Sequence, residues 1–571
     1  LTMRARGTRP FHSVSATITK TPIPDKKLGK AARGKALRQV MASFVANLGT
    51  VNTGMAFGFS ATSLPQLLDT TTNPHLLHVT KDQATWIASL SSAGTPIGCI
   101  LSGYLMDAIG RRKTLIITEV PLIIGWLLVA FAQNIPMIYI GRLMIGLGSG
   151  MVGAPARVYT CEVSQPHLRG MLGALASVGV STGVLIQYVI GSMTTWNVLA
   201  GVSATIPILS LLGMLLLPET PNYLLQQDQR ARAESSLVKL RGSTCDVDGE
   251  IQKMIAFKEK NHVDPIKIHR IFPRILKFVV RKVFGKFVRN PQGQIRQFLL
   301  IYMLQTQTSK LHGFRETFKA LMAPSTLKPF IILAIYFFVY QWCGVNTITF
   351  YAVEVFKASG ATGDIYWMTK SMGIVRLIFT IVGCVLCRRC GRRILTFVSA
   401  LGCGTTMIIL AVYMYFVTEY KITPEYSWIP VTAIFLFTIF CTLGYLIVPW
   451  VMIGEVYPTQ VRGIVGGMTT CVAHMSVFSV VKTFKSLVET FNYYGVFGLY
   501  GSMSLLGKFF FIWLYSIIKF VKVISFVLVS ATIFFYFFLP ETKGRTLQEI
   551  EDYFSGRTKS LTKRKESTVG A

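Results

Sequence analysis

The chain has 571 residues, of which 51% are hydrophobic and only 15% charged, and its mean hydropathy is +0.49. A soluble domain could not hide this much apolar surface in one core, so the composition excludes a soluble globular protein and indicates a polytopic membrane protein. The net charge of +32 does not indicate nucleic acid, because the basic residues gather at the ends of apolar stretches and in alternate loops, as membrane topology requires.

Twelve apolar stretches are long enough to cross a bilayer as helices, which takes about 20 residues each. The sequence therefore predicts an all-α membrane protein in which twelve transmembrane helices form two six-helix bundles. The predicted spans are 40–64, 84–106, 114–132, 137–160, 170–191, 197–217, 329–352, 366–387, 394–417, 430–453, 464–483 and an overlong region, 494–539.

The spans divide the chain into five parts. We predict a basic cytosolic segment at 1–39, an N-terminal bundle at 40–217, a cytosolic linker domain at 218–328, a C-terminal bundle at 329–540 and a cytosolic tail at 541–571. Basic loops on one side place both termini in the cytosol. The linker also contains a basic amphipathic stretch, 268–290, which is either an unselected insertion or a segment that lies on the anionic inner leaflet.

The last span contains excess sequence. Between equivalent motifs the second half, Arg462 to Pro540, is longer than the first half, Arg169 to Pro218, and deleting 508–531 nearly removes the difference. The deletion also restores one ordinary span and removes two lysines from the lipid. We therefore predict that 508–531 is an erroneously translated intron.

Charged motifs recur at matching positions in the two halves. Gly110-Arg111-Arg112 returns as Gly391-Arg392-Arg393, and a glutamate stands seven residues before Arg-Gly in each half, as Glu162 and as Glu455. Secondary transporters are built by such internal duplication, with two bundles that rock about a central site, so the repeat predicts a transporter as well as a fold.

The repeated charges lie at the predicted cytosolic ends of spans. We interpret them as ion pairs that close the cytosolic side in one state; the alternative is that they only set the topology. Pairs that break in every cycle need only modest strength. The predicted cytosolic gate consists of Asp107, Arg111, Arg112, Arg142, Glu162, Arg169, Arg392, Arg393, Glu455 and Arg462.

Other motifs do not indicate cofactor or metal chemistry. The segment 148–153 matches a dinucleotide fingerprint but lies inside an apolar helix without a preceding strand. With Gly141, Gly146 and Ala154 it instead predicts a closely packed helix face. Cys387 and Cys390 form a CxxC pair without further ligands nearby. We expect no cofactor, no metal and no enzymatic activity, because no nucleophile and base converge.

Several longer motifs carry a resemblance. The chain resembles the sugar porter family of the major facilitator superfamily, and within it the facilitated trehalose transporters of insects, from about residue 40 to 555. The motifs are Gly141-Arg142 with Gly146, PETPNYLL at 218–225, QWCGVN at 341–346, PWVMIGE at 449–455 and PETKGRTLQEIE at 540–551.

The resemblance implies a sugar site near the bilayer midplane. Gln341, Asn346 and Trp450 match pocket positions of the family, where amides bind sugar hydroxyls and an indole packs on the sugar ring. Other pocket positions depart from the family pattern. They carry Tyr340, Ser177 and Arg376, with Ala473-His474 in the eleventh span. Arg376 would hold a larger polyol or disaccharide, or pair with a carboxylate.

Proton-coupled members of the family carry an acid in the first span, at the position of Ser60. Because that span contains no carboxylate, the sequence predicts facilitated diffusion of a sugar, trehalose or a hexose, across the plasma membrane. Two alternatives stay open: a proton-coupled sugar or polyol symporter, and a sugar sensor that binds without transporting. The expected partners are the sugar and the lipid bilayer, and the oligomeric state is left open.

Overall fold

The computed structural model describes one chain that is helical over most of its described length. Most of the suspected insert and the basic amphipathic stretch of the linker lie outside the described residues. The structure describes residues 36–517 and 553, except for 70–76, 78, 166–167, 169–171, 243–246, 261–320, 362, 421–425 and 459–461.

The first half begins with five long helices, continues through a span made of two short helices, and ends in a small helical linker. The helices are α1 (Ala36–Leu68), α2 (Lys81–Ile109), α3 (Arg111–Ala130), α4 (Ile135–Val163), α5 (Leu175–Gly191), α6 (Trp196–Ser203), α7 (Thr205–Leu216), α8 (Pro221–Gln226), α9 (Arg230–Arg241) and α10 (Val247–Lys260).

The second half repeats this pattern with more breaks. Its helices are α11 (Pro324–Trp342), α12 (Val345–Phe350), α13 (Ala352–Ala358), α14 (Ile365–Arg389), α15 (Arg392–Glu419), α16 (Trp428–Leu443), α17 (Val448–Val456) and α18 (Arg462–Ile517). We call the end of the molecule at which α1 begins the near face, and the opposite end the far face.

Eight helical segments of the described chain are long and apolar enough, by length and composition, to cross a membrane. α1 is not among them, although it is 33 residues long. It carries buried polar side chains, including Asn47, Asn52 and Ser60, that face other helices. Its low hydropathy therefore follows from an interior position, where polar groups find partners.

A chain reversal divides α18 into two legs. Tyr351 Oη donates to the carbonyl of Val481 at 3.2 Å, and the hydroxyl oxygens of Thr347 and Tyr500 are hydrogen-bonded at 3.3 Å. In a straight helix Val481 and Tyr500 would lie about 28 Å apart. Their partners, Tyr351 and Thr347, are only one helical turn apart, so a straight α18 could not reach both. The chain turns at Asn492, whose φ is +55°, so α18 supplies both final spans.

The two halves each pack as a bundle. In the first half α1 contacts α4 and α5, and α4 also contacts α2 and α3; in the second half α15 contacts α16 and α18. The bundles meet along three seams, α2 with α18, α5 with α14, and α1 with α12. This is the all-helical, two-bundle fold that the sequence predicts.

Glycines bring α2 and α4 into very close contact. A Cβ added to Gly146 would lie 2.0 Å from the carbonyl oxygen of Ser91, and one added to Gly150 would lie 2.1 Å from that of Thr95. The segment 148–153 is therefore part of a helix-packing surface, and no strand precedes it in the described residues. Ala154, which we expected on this surface, is exposed instead.

This packing gives a stability prediction. Gly146→Ala forces the two backbones apart, and we expect a loss on the order of 1–3 kcal/mol. Gly153→Ala is the matched control, because nothing lies within 4 Å of the added carbon and alanine favours a helix. Thermal melting of the detergent-solubilised protein measures both, and an equal melting temperature for the two variants would contradict the packing argument.

Candidate functional site

The first set of charged residues lies at the near face of the first bundle. Arg111 Nη2 lies 3.1 Å from Glu162 Oε1, and both side chains are largely buried. Asp107 is within electrostatic range of both. The adjacent Arg112 is used differently: its guanidinium donates to the carbonyls of Met214 and Leu215 at 3.1 and 2.7 Å, and so caps the end of α7.

The carboxylate of Glu219, in the PET motif, caps the N-terminus of α3. Its Oε1 accepts the backbone amides of Arg111 and Arg112, each at 3.1 Å. A negative charge at a helix N-terminus satisfies otherwise unpaired amides and complements the helix dipole. The PET motif therefore fixes the linker against the near face.

The second bundle repeats the ion pair. Arg392 Nη2 lies 2.5 Å from Glu455 Oε1, and Arg393 is half-buried beside it on α15. In each half, then, the arginine that follows Gly at the start of one span pairs with the glutamate at the end of the next span. Arg462 begins α18, but its side chain lies outside the described part of the structure, as does Arg169.

Both ion pairs join two helices of the same bundle. Arg111 and Glu162 connect α3 with α4, and Arg392 and Glu455 connect α15 with α17. They hold the near ends of helices together within each half. Neither pair links one bundle to the other in this structure.

Arg142 does not belong to this cluster, and its assignment to the cytosolic gate is wrong. It lies 20 positions before Glu162 on α4, about 30 Å away along the helix axis. Its fully buried guanidinium contacts α1 and α2 in the half of the bundle toward the far face. A Gly-Arg motif in the sequence does not reveal this depth.

The acceptors around Arg142 are all neutral. It donates to the carbonyls of Ile87 and Ala56 at 2.9 and 3.1 Å, and to the hydroxyls of Ser60 and Ser91 at 2.9 and 3.1 Å. Its guanidinium carbon also lies 5.3 Å from the centre of the Phe59 ring. The cation is therefore held by dipoles and an aromatic face.

Polar residues gather where α11 breaks in the middle of the second bundle. Asn346 Nδ2 donates to Gln341 Oε1, and both side chains are buried. The break lies at Gly344, whose φ of +91° favours glycine, and a side chain there would strike the ring of Tyr500. The break places both amides of the QWCGVN motif on one polar patch.

Trp450 lies on α17 among aromatic neighbours. Its ring centre is 4.9 Å from that of Phe337 and 6.0 Å from that of His474. The guanidinium carbon of Arg157 lies 4.9 Å from the centre of the Trp450 ring. Arg157 belongs to α4, so this contact joins the two bundles.

Arg376 lies at a second contact between the bundles. Its Nη1 donates to Thr349 Oγ1 at 2.7 Å, and the carbonyl of Thr349 accepts the Tyr188 hydroxyl at 2.8 Å. The guanidinium is buried and within electrostatic range of the hydroxyls of Tyr188 and Tyr340. In the described residues Arg376 pairs with a hydroxyl, not with the carboxylate we considered.

The remaining predicted residues lie on the same seams. Tyr340 is buried and stacks edge-on against Tyr445, at 6.1 Å between ring centres. Ser177 is half-buried on α5, one turn before Ser181, whose hydroxyl lies 2.8 Å from that of Thr380 on α14. The predicted binding residues thus fall on or beside the surfaces where the bundles meet.

Comparisons with known proteins decide what this architecture is. Residues 42–308 and 280–554 match the family described as "Sugar (and other) transporter". The chain belongs to this family. The resemblance inferred from the motifs is thereby confirmed.

Two similar proteins are insect transporters, and the match spans most of their length. The chain is 27% identical over 515 residues to the facilitated trehalose transporter Tret1 of Bombyx mori, covering 90% of this chain and 86% of that one. It is 29% identical over 519 residues to the facilitated trehalose transporter Tret1 of Apis mellifera ligustica, covering 91% of this chain and 88% of that one.

Solved structures support the fold. The proton:xylose symporter XylE bound to 6-bromo-6-deoxy-D-glucose matches with a TM-score of 0.62 at 20% identity, covering 91% of this chain and 99% of that one. A partially occluded inward-open form of XylE from E. coli also matches at 0.62, with 18% identity and coverage of 90% and 100%. At this identity the likeness shows the major facilitator fold alone.

Sequence reasoning missed two features of this transporter. One is Arg157, a charge inside a span, which could have been found as an intramembrane cation. The other is a contact at the far face, where Lys482 Nζ lies 3.0 Å from Asp82 Oδ1 and 2.7 Å from Thr85 Oγ1. Lys482 also lies 4.2 Å from the centre of the Trp86 ring. This group is a clamp between α2 and α18.

The clamp is built from several weak interactions. Asp82 is largely exposed, so the ion pair alone contributes at most about 1 kcal/mol, and the ammonium on the Trp86 ring adds about 0.5–1 kcal/mol. Contacts of this size shift a two-state equilibrium without locking it. The clamp therefore suits a gate at the far face that opens in every cycle.

We expect Lys482→Gln to raise the population of molecules open at the far face by about three- to tenfold, because a tenfold change corresponds to about 1.4 kcal/mol. The reporter is Phe57→Cys, whose position in α1 contacts Phe350 across the seam at 5.2 Å between ring centres. The rate of labelling by a membrane-impermeant thiol reagent measures the opening.

The reversed pair serves as control for this experiment. Asp82→Lys combined with Lys482→Asp restores the attraction and should bring the labelling rate back toward that of the parent protein. A rate that is the same in Lys482→Gln as in the parent shows that the clamp contributes nothing to closure.

Proposed function

We propose that this protein is a facilitative sugar transporter of the plasma membrane that carries trehalose or a hexose by alternating access. The observation that carries the proposal is the buried polar patch of Gln341 and Asn346, with Trp450 nearby, at the meeting of two bundles in a member of this family. Amides bind sugar hydroxyls both as donors and as acceptors, and an indole covers the apolar face of a sugar ring. The named relatives are trehalose transporters.

The orientation follows from charge. Arg111, Arg112, Arg392 and Arg393 all lie at the near face, and the positive-inside rule makes this face cytosolic. Both termini are then cytosolic, and the Lys482 clamp closes the extracellular side. The intrabundle ion pairs keep each cytosolic end rigid, so that the bundles rock as units.

The surroundings of Arg142 favour facilitated diffusion over proton coupling. A proton relay requires a titratable group in the transport path, whereas Arg142 donates to carbonyls and to the hydroxyls of Ser60 and Ser91. The buried acid Glu119 accepts the hydroxyl of Ser210 at 2.7 Å inside the first bundle, away from the seams between the bundles. Neither Arg142 nor Glu119 therefore forms a cation–carboxylate pair at the seams between the bundles.

Reconstituted protein tests the proposal directly. Proteoliposomes loaded with unlabelled trehalose or glucose should take up the labelled sugar by counterflow. Gln341→Ala should lower uptake about 5- to 150-fold, since a lost hydrogen bond to a buried amide costs about 1–3 kcal/mol. Binding of labelled sugar without counterflow would identify a sensor instead of a carrier.

The mode of coupling has its own test. Ser60→Asp places a carboxylate beside Arg142, because the Ser60 hydroxyl is 2.9 Å from Nη2. We expect the parent protein to show uptake that is independent of a pH gradient, and Ser60→Asp to become sensitive to it. Ser60→Asn is the uncharged control. Acidification of lightly buffered vesicles during uptake by the parent protein would establish a proton symporter.

A further inference from the structure

Two cysteines meet across the seam between α2 and α18. Cys471 Sγ on α18 donates to the carbonyl of Pro96 on α2 at 3.4 Å. Pro96 precedes Cys99 by three residues, and a helical side chain leans toward the N-terminal end of its helix, so the Cys99 thiol lies over the same turn. The thiols of Cys99 and Cys471 also interact directly as hydrogen-bonding groups. A pair of thiols therefore joins the two bundles.

The backbones of α2 and α18 come close beside this pair. A Cβ added to Gly467, one turn before Cys471, would lie 4.0 Å from the carbonyl oxygen of Cys99, so α18 contacts the backbone of α2 itself. A disulfide requires such an approach, because its two Cα atoms lie only about 4.4–6.8 Å apart. The missing side chain at Gly467 leaves room for it.

The pair has one accessible and one buried member. Cys471 is half-buried, whereas Cys99 is buried. A small oxidant reaches the more accessible sulfur first, and the neighbouring thiol then resolves the oxidised product, as in redox-sensing cysteine pairs. Arg157 on α4 is within electrostatic range of Cys99, and a cation beside a thiol stabilises the thiolate that reacts.

A second pair of thiols in the described residues lies inside one bundle. Cys403 on α15 and Cys441 on α16 interact with each other, and both are buried. A bond between them would join two helices that already pack together in the second bundle. A bond between Cys99 and Cys471 would instead join one bundle to the other.

The seam pair lies in the half of the molecule toward the near face. Cys471 lies about 14 Å along α18 from the near end of that helix, and Cys99 lies about 15 Å along α2 from its near end. The clamp between Lys482 and Asp82 lies at the far end of the same two helices. When bundles rock about a central site, opening of the near face must part the two thiols, whereas opening of the far face can leave them in contact.

We propose that Cys99 and Cys471 form a reversible disulfide that locks the carrier closed at the near face. The inference goes beyond the proposed function, and only its effect on transport rests on that function. Disulfides of the reducing cytosol are mostly transient and redox-sensing, which suits a bond in the cytosolic half of the seam.

The oxidant is a hydroperoxide, of which hydrogen peroxide is the simplest. The Cys471 sulfur attacks the O–O bond and keeps one oxygen as a sulfenic acid, and the other oxygen leaves as water. The Cys99 sulfur then attacks the Cys471 sulfur and displaces the second oxygen as water. Two thiols and one hydrogen peroxide thus give one disulfide and two waters, and a dithiol reverses the bond.

Mass spectrometry of the full-length protein tests the bond. The protein in proteoliposomes is treated with hydrogen peroxide, the remaining thiols are blocked, and the sample is digested without reductant. We expect a peptide that joins Cys99 to Cys471, and we expect dithiothreitol to abolish it. The absence of this peptide at every peroxide concentration that the folded protein survives overturns the proposal.

Sugar counterflow tests the lock. The loss of trehalose or glucose counterflow should match the fraction of protein that carries the disulfide, and dithiothreitol should restore it. Binding of labelled sugar to the oxidised protein should persist, because the far face can still open. Disulfide formation with counterflow unchanged, or with binding lost as well, overturns the lock.

Variants assign the effect to the seam pair. Cys99→Ser and Cys471→Ser should each keep counterflow and become insensitive to peroxide, and alanine at either position serves where serine prevents folding. The matched control is Cys403→Ala combined with Cys441→Ala, which removes the pair inside the second bundle and should be inhibited like the parent protein. Inhibition that persists in both seam variants overturns the proposal. A reduced parent protein without counterflow overturns the transporter instead, and the disulfide peptide then stands as a separate result.

Discussion

The architecture depends on one buried guanidinium. Arg142 reaches from α4 to backbone and hydroxyl oxygens of α1 and α2, so the acceptors that hold it in the described part of the chain are neutral. In a bilayer an unsatisfied cation is costly, so these acceptors cannot separate without exposing it. The three helices therefore move together, which is what a rocking bundle requires. The glycine contact between α2 and α4 adds a steric reason for the same rigidity.

The duplicated sequence has diverged at a position where the two bundles meet. Both repeats keep the ion pair that anchors the near ends of their helices, yet one turn and a half away the first repeat carries Arg157 where the second carries Trp450. Two tryptophans there would make an apolar sandwich, and two arginines would repel each other. The mixed pair gives an attractive contact and places a cation beside an aromatic platform suited to a sugar ring.

The fold was predictable because its signals are local. Span length, hydropathy and the repeated spacing of Glu162 and Glu455 can each be read within a few helical turns of sequence. The ion pairs Arg111–Glu162 and Arg392–Glu455 join residues of these repeated motifs. Depth in the membrane was not predictable for Arg142, since a motif gives the residue type and not its distance from the helix end.

Contacts between the bundles were also beyond sequence reasoning. Lys482 and Asp82 are 400 positions apart, and neither stands in a recurring motif. Arg157 and Trp450 do share a register, but their meeting depends on how the bundles are docked. The family resemblance made Gln341, Asn346 and Trp450 candidate binding residues through their motifs. It did not point to Arg157, because that residue lies in none of the motifs.

The broken seventh span has a kinetic consequence. Since Gly344 and Tyr351 interrupt the helix, no continuous ladder of backbone hydrogen bonds ties α12 and α13 to α11, and a tilt of these short helices need not carry α11 with it. A short element that swings by itself crosses a lower barrier than a whole bundle does, because fewer contacts break at once. Sealing of the outer entrance and inversion of the carrier then become separate steps with separate rates. A substrate enclosed between those steps is retained even when inversion is slow. The efficiency of uptake at a low external sugar concentration is then governed by the movement of α12 and α13.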